Sequence, residues 1–152
     1  MKRNPLGWLL GILAVLTITL VALETMTSAA ADIVVYKAPG CGCCERWAAH
    51  LRKSGFTVVV RAETNLDAAK TKWNVPPQFE SCHTARVGDY TIEGHVPSAA
   101  IARLLKERPA IAGLAVAGMP AGAPGMEAGT SHQSYDVVAF DQAGHVSVYE
   151  RH

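Results

Sequence analysis

Three of the four cysteines in this 152-residue chain fall within four positions, Cys41-Gly42-Cys43-Cys44, and the fourth lies in Ser81-Cys82-His83-Thr84. Cysteines adjacent or one apart reach disulfide geometry only with strain, so so tight a group is a poor disulfide framework. It reads better as a redox or metal site. Pro39-Gly40 precedes the group and a helical pattern follows it, which places the thiols at a helix N-terminus. Free amide N–H groups and the helix dipole there favour thiolate, the form that both ligates metal and attacks disulfides. Gly40 and Gly42 let the backbone bring several sulfurs round one centre.

Structural zinc prefers two ligand pairs on separate knuckles, commonly C-x-x-C twice. Here three ligands share one knuckle and Cys82 stands alone. Soft thiolates and thioethers select Cu(I), which accepts two or three ligands and lets one sulfur bridge two ions. Crowded cysteines therefore suit a small multi-copper thiolate cluster better than a single zinc. Met119 and Met126 sit in the glycine- and proline-rich segments Gly118-Met119-Pro120 and Gly125-Met126-Glu127. Loop methionines serve either as thioether ligands or as apolar anchors. His83, next to Cys82, and His95, in Glu93-Gly94-His95-Val96-Pro97, have two readings each, as hydrogen-bonded structural groups or as ligands. His50 lies about 10 Å of helical rise from Cys43 and is set aside. His132 has only its place in the loop after Met126 to recommend it, while His145 and His152 have no supporting context. Trp47, Trp73 and Phe79 are expected in the core.

The elements that must position these residues follow from periodicity. Lys2 and Arg3, the apolar run 6–23, and Ala29-Ala30-Ala31 before Asp32 form a secretory signal, with an uncleaved inner-membrane anchor as the alternative. Residues 32 onward are then exported, with the periplasm as the expected compartment. There, unpaired thiols tend to oxidise. The chain after residue 31 carries as many basic as acidic residues, so nothing neutralises phosphates and nucleic acid is not an expected partner. A strand is expected over 32–37, a helix over 43–54, and a wholly apolar, hence central, strand over 56–60. A helix capped by Thr64 or Asn65 should run to Trp73. A hairpin over 84–93 turns at Gly88-Asp89, and a helix over 98–107 starts after Pro97. The order β-α-β-α-β-β-α, with C-x-x-C at the first strand-to-helix turn, is that of a thioredoxin-like α/β domain. In such a sheet Cys82 should face the other three sulfurs.

Residues 109–134 hold five glycines, three prolines and seven alanines. Within them 111–116 is apolar enough to dock on the domain, and a hairpin over 135–149 closes the chain. The expected division is a signal peptide over 1–31, a thioredoxin-like metal-binding domain over 32–108 and a packed C-terminal extension over 109–152.

C-G-C-C after a strand, S-C-H-T-A at 81–85, E-G-H-V-P at 93–97 and G-M-P…P-G-M-E at 118–127 together resemble the CopG family. Those are exported copper-resistance proteins of Gram-negative bacteria, and the likeness spans essentially the whole chain after the signal. The resemblance implies a thioredoxin-like fold with a C-terminal extension and copper as cofactor. It carries Cys41, Cys43, Cys44 and Cys82 over as ligands, with Met119 and Met126 in the extension that helps at the metal. Copper redox conversion, storage or hand-over to other periplasmic copper proteins would follow; the chain is expected to be a monomer. Two rivals remain: a thiol–disulfide oxidoreductase using Cys41 and Cys44, and a disulfide-stapled partner-binding module. Metal binding is favoured over turnover.

Overall fold

The computed structural model describes residues 33–127 and 129–152; the signal sequence and its alternative as an anchor lie outside the described residues. The chain forms a mixed α/β fold. Strands β1 (Ile33–Lys37), β2 (Val58–Ala62), β3 (His83–Val87), β4 (Tyr90–Glu93), β5 (Gly113–Val116), β6 (Asp136–Phe140) and β7 (Val146–Arg151) make one sheet in the order β2-β1-β3-β4-β5-β6-β7. Helices α1 (Gly42–Lys53), α2 (Leu66–Lys72) and α3 (Ser98–Glu107) join them, with a 3-10 turn at Pro77–Phe79. Among the described residues no helix is long and apolar enough to cross a membrane.

Each helix is set by its ends and its apolar stripe. Cys41 caps α1, its sulfur accepting from Cys44 N–H at 3.4 Å. Asn65 caps α2 through Ala68 N–H at 3.2 Å. The α3 helix follows Pro97, which has no side-chain oxygen to offer. His50 from α1 supplies an acceptor instead, its Nε2 taking the Ser98 N–H at 3.3 Å. That bond gives His50 a structural place at the far end of α1 from the thiols.

Alternation along the strands separates two faces. One face carries Ile33, Val35, Ala85, Val87, Ile92, Leu114, Val116, Val137 and Ala139 and is covered by Trp47, Ala48 and Leu51 of α1 and Ala100, Ile101 and Leu104 of α3. His83 pairs with Lys37 across β1 and β3, and belongs to this face. The other face carries Thr84, Thr91 and Glu93 and meets α2 through Lys70.

Three expectations change. The strand over 58–62 is an edge, paired among the described residues only to β1, with Val59 44% exposed. Its apolar composition reported low polarity, but neighbourhood in a sheet is decided by pairing, and the β1–β3 ladder occupies the inner side. Residues 113–116 do not dock as a loop; they form β5, parallel to β4 and antiparallel to β6, so the last hairpin continues the same sheet. Trp73 and Phe79 are only partly buried. Trp73 packs on Tyr36 with ring centroids 4.9 Å apart, and Phe79 borders a small second cluster of Ala112, Ala115, Val138 and Phe140. Trp47 is fully buried, its Nε1–H donating to Val96 O at 2.9 Å.

Candidate metal centre

Four chain segments converge at the C-terminal end of β1. The β1-to-α1 turn supplies Cys41, Cys43 and Cys44; the turn before β3 supplies Cys82; the residues after β4 supply His95; and the loop after β5 passes over them. Gly40, at φ +74, makes the tight turn that lets Cys41 start the helix immediately after the strand.

The four sulfurs all lie within 4.8 Å of one another. Cys43 Sγ stands 3.5 Å from Cys41 Sγ and 3.5 Å from Cys82 Sγ, and Cys44 Sγ is 3.4 Å from Cys82 Sγ. A tetrahedral centre with metal–sulfur bonds of ~2.3 Å has edges of about 3.8 Å, close to the three non-bonded separations of 3.4–3.5 Å. Cys41 and Cys44 are joined as a disulfide, while Cys43 and Cys82 are free. Cys44 is buried; the other three are half-buried and open the group to solvent on one side. Cys82 lies off the helix N-terminus. Burial, with a hydrogen bond and charge from Cys43, pushes its thiol up to about 11, and nearby Lys70 only partly opposes this. A metal at Cys82 therefore displaces a firmly held proton.

A second donor group shares Cys82: its sulfur and one nitrogen each of His83 and His95 lie within 4.8 Å of one another. Backbone oxygens fix both tautomers. His83 Nε2 meets Gly94 O at 2.9 Å and His95 Nδ1 meets Pro124 O at 2.8 Å. A carbonyl oxygen only accepts, so each of those nitrogens carries the hydrogen and its ring partner presents a lone pair. The bare His83 Nδ1 is 3.6 Å from Cys82 Sγ. The bare His95 Nε2 is buried and has no hydrogen-bond partner among the described residues. Burial holds His83 down at about 3 and lowers His95 as well, so both rings stay neutral, as ligation requires. His83 also packs on Trp47, with ring centroids 4.5 Å apart, and edge-on against His95 at 5.0 Å. Carbonyl-fixed imidazoles with an unpartnered nitrogen beside a thiol fit a soft or borderline metal ion.

The loop is seated closely. Arg46 Nε donates to Gly125 O at 2.9 Å, and Gly125 adopts φ +84. A Cβ there would lie 2.7 Å from Trp47 N and 2.9 Å from Cys43 O. Met126, half-buried, donates its N–H to Ala123 O at 2.8 Å and accepts from Gly122 N–H at 3.2 Å. Met119 stands 56% exposed in an open groove with Phe79 and Tyr135. His132 lies against Gly122, and His145 pairs with Asp141 at 2.8 Å in the last turn. His152 stacks on Tyr135 at the chain end, 4.8 Å between ring centroids.

Sequence reasoning missed the residues that hold the donors. Pro124 and Gly94 act through carbonyl oxygens, which no residue type announces. Lys70 and Glu93 form a buried ion pair, and Glu93 Oε1 also accepts the Ser81 N–H at 2.6 Å. A glutamate closing the strand Tyr90-Thr91-Ile92-Glu93 was the visible signal. Burial raises the Glu93 carboxyl, against the pull of Lys70.

The family model described as a protein of unknown function, DUF411, matches residues 79–126, from the turn bearing Cys82 to Met126. Two solved structures, the copper resistance protein copG in form 1 and in form 2, are each 40% identical to the chain with a TM-score of 0.77. Each covers 80% of this chain, which in turn spans 97% of the first and 98% of the second. No curated protein matches.

Proposed function

The chain belongs to the CopG family of copper-resistance proteins, and from that premise we propose that it binds copper in the periplasm, holding Cu(I) on a thiolate site that takes more than one ion. The observation that carries this reading is the approach of four sulfurs to within 4.8 Å. Cys41, Cys43, Cys44 and Cys82 bridge the ions once the Cys41–Cys44 disulfide is reduced, and His83 and His95 add imidazole nitrogens beside Cys82. Met126, next to the seat at Gly125, and exposed Met119 supply thioethers from the loop. The basic, apolar and small-residue pattern of residues 2–31, read as a signal, supports export. The order β2-β1-β3-β4, with β1 parallel to β2 and antiparallel to β3, supports a thioredoxin-like reading of residues 32–108. Interconversion of Cu(I) and Cu(II), or transfer to other periplasmic copper-handling proteins, is the use we assign to a monomer of this kind.

The test is anaerobic titration of reduced protein with Cu(I). More than one equivalent per chain is expected, and fewer in Cys82→Ala. Uptake no greater than that of a variant lacking all four cysteines refutes the reading.

The Cys41–Cys44 disulfide at a helix N-terminus favours a second reading, a thiol–disulfide oxidoreductase. Cys43, 3.5 Å from Cys41, competes for any mixed disulfide and weighs against it. Insulin reduction by metal-free protein separates the two: activity lost in Cys41→Ser and retained in Cys82→Ser selects the oxidoreductase.

A further inference from the structure

Cys82 is held from behind the sheet. It sits in a turn, outside any strand ladder, yet its sulfur lies 3.4–3.5 Å from two others. Glu93 Oε1 accepts the Ser81 N–H at 2.6 Å, immediately before Cys82. Gly94 O takes the His83 Nε2–H at 2.9 Å, immediately after it. The consecutive residues Glu93 and Gly94 therefore grip Cys82 from both flanks, one through a side chain and one through the backbone. Gly94 also lets the two turns approach: a Cβ there would lie 2.6 Å from Val116 O and 3.3 Å from Ser81 Oγ.

Glu93 is fully buried and Lys70 is 2% exposed. A buried carboxylate persists only when paired, and an apolar pair of similar volume generally serves stability as well or better. Packing alone therefore does not call for an acid at this position. What an apolar residue could not supply is an acceptor for a backbone N–H in a turn that has no other use for it. Lys70 supplies the countercharge from α2.

We propose that Glu93, neutralised by Lys70, is a positioning residue that fixes Cys82 through the Ser81 amide and so sets the fourth sulfur against the other three. The copper arm of the test rests on the copper-binding reading above; the thiol arm does not. Two double variants both remove the lysine charge and differ only in the acceptor: Lys70→Met/Glu93→Gln keeps it, Lys70→Met/Glu93→Leu does not. In metal-free protein with the Cys41–Cys44 disulfide intact, iodoacetamide should label Cys82 roughly five- to tenfold faster in the Leu variant than in the Gln variant, the scale of one lost buried hydrogen bond. Cys43 labelling should not change. Equal Cys82 rates overturn the proposal. After reduction, the Leu variant should also take up fewer Cu(I) per chain than the Gln variant. Failure of the unaltered protein to bind Cu(I) refutes the copper reading and leaves the labelling result to decide this one. Should the Leu variant not fold, hydrogen exchange on the unaltered protein decides. Protection of the Ser81 amide comparable to Ile92 upholds the proposal, and exchange as fast as the Gly88 turn overturns it.

Discussion

His95 donates its Nδ1–H to the Pro124 carbonyl oxygen at 2.8 Å, and in doing so leaves its Nε2 as a bare, buried lone pair. The loop thus leaves a bare donor nitrogen on a residue that lies outside it. An unpartnered buried nitrogen costs ~1–3 kcal/mol, a cost a metal bond would remove.

Replacing that nitrogen should therefore be felt by the metal. His95→Phe keeps a planar ring and removes both nitrogens. Copper affinity, measured by chelator competition, should fall about tenfold or more, equivalent to ~1.4 kcal/mol, with the count of thiols after reduction unchanged. Unaltered affinity would take His95 out of the ligand set.

Redox state should gate loading. With Cys41 and Cys44 bridged, only Cys43 and Cys82 remain as thiols. Oxidised protein should bind half as many Cu(I) as reduced protein, or fewer, by atomic absorption after desalting. Equal loading of both forms would show that the bridged sulfurs are not ligands.

The buried imidazoles should make the metal-free fold sensitive to acid. His83 takes its proton near pH 3 in the folded chain and near pH 6.5 when unfolded. The unfolded state therefore binds more protons between those values, and stability declines as pH falls through that window. The His83 contribution is on the order of 5 kcal/mol across it. His50 and His95 shift in the same direction, also through burial. Urea midpoints from pH 7 to pH 4 should drop more steeply for the unaltered protein than for His83→Asn; parallel curves would contradict the assignment.

Gly125→Ala should lift the loop. Its φ of +84 strains any side chain, and the new Cβ would press on Trp47 N and Cys43 O. We expect a loss of about 1–3 kcal/mol in thermal unfolding, together with weaker copper binding as Pro124 withdraws from His95. Full stability with full affinity would mean that the seat does not matter.

What the sequence made legible was local. The C-G-C-C spacing, the glycine before it and the helical run after it placed three sulfurs at the start of α1 within a residue of where they stand. The Gly88-Asp89 turn and the α3 boundaries were equally local. Two errors came from properties that belong to pairs of distant segments. Val58-Val59-Val60 is apolar wherever it lies, but only the β1–β3 ladder makes it an edge. Gly113–Val116 is too short and too poor in β-branched residues to announce a strand, and becomes one because β4 and β6 leave a slot between them. The holders of the site were hidden for the same reason. Lys70 meets Glu93 across 23 positions of sequence, and His95 meets Pro124 across 29. Neither pairing has a signature at its own position.

The insertion of β5 between β4 and β6 makes the segment 117–135 a long connection between two antiparallel neighbours, tied at both ends. Lengthening such a connection costs only ~0.6 kcal/mol per doubling. Met119 thus rides on an exchangeable cassette, while the seat at Pro124-Gly125 and the cysteines belong to the chassis. Grafting loops of other donor composition on either side of Pro124-Gly125, between Val116 and Asp136, offers a way to change the donors there without rebuilding the sheet.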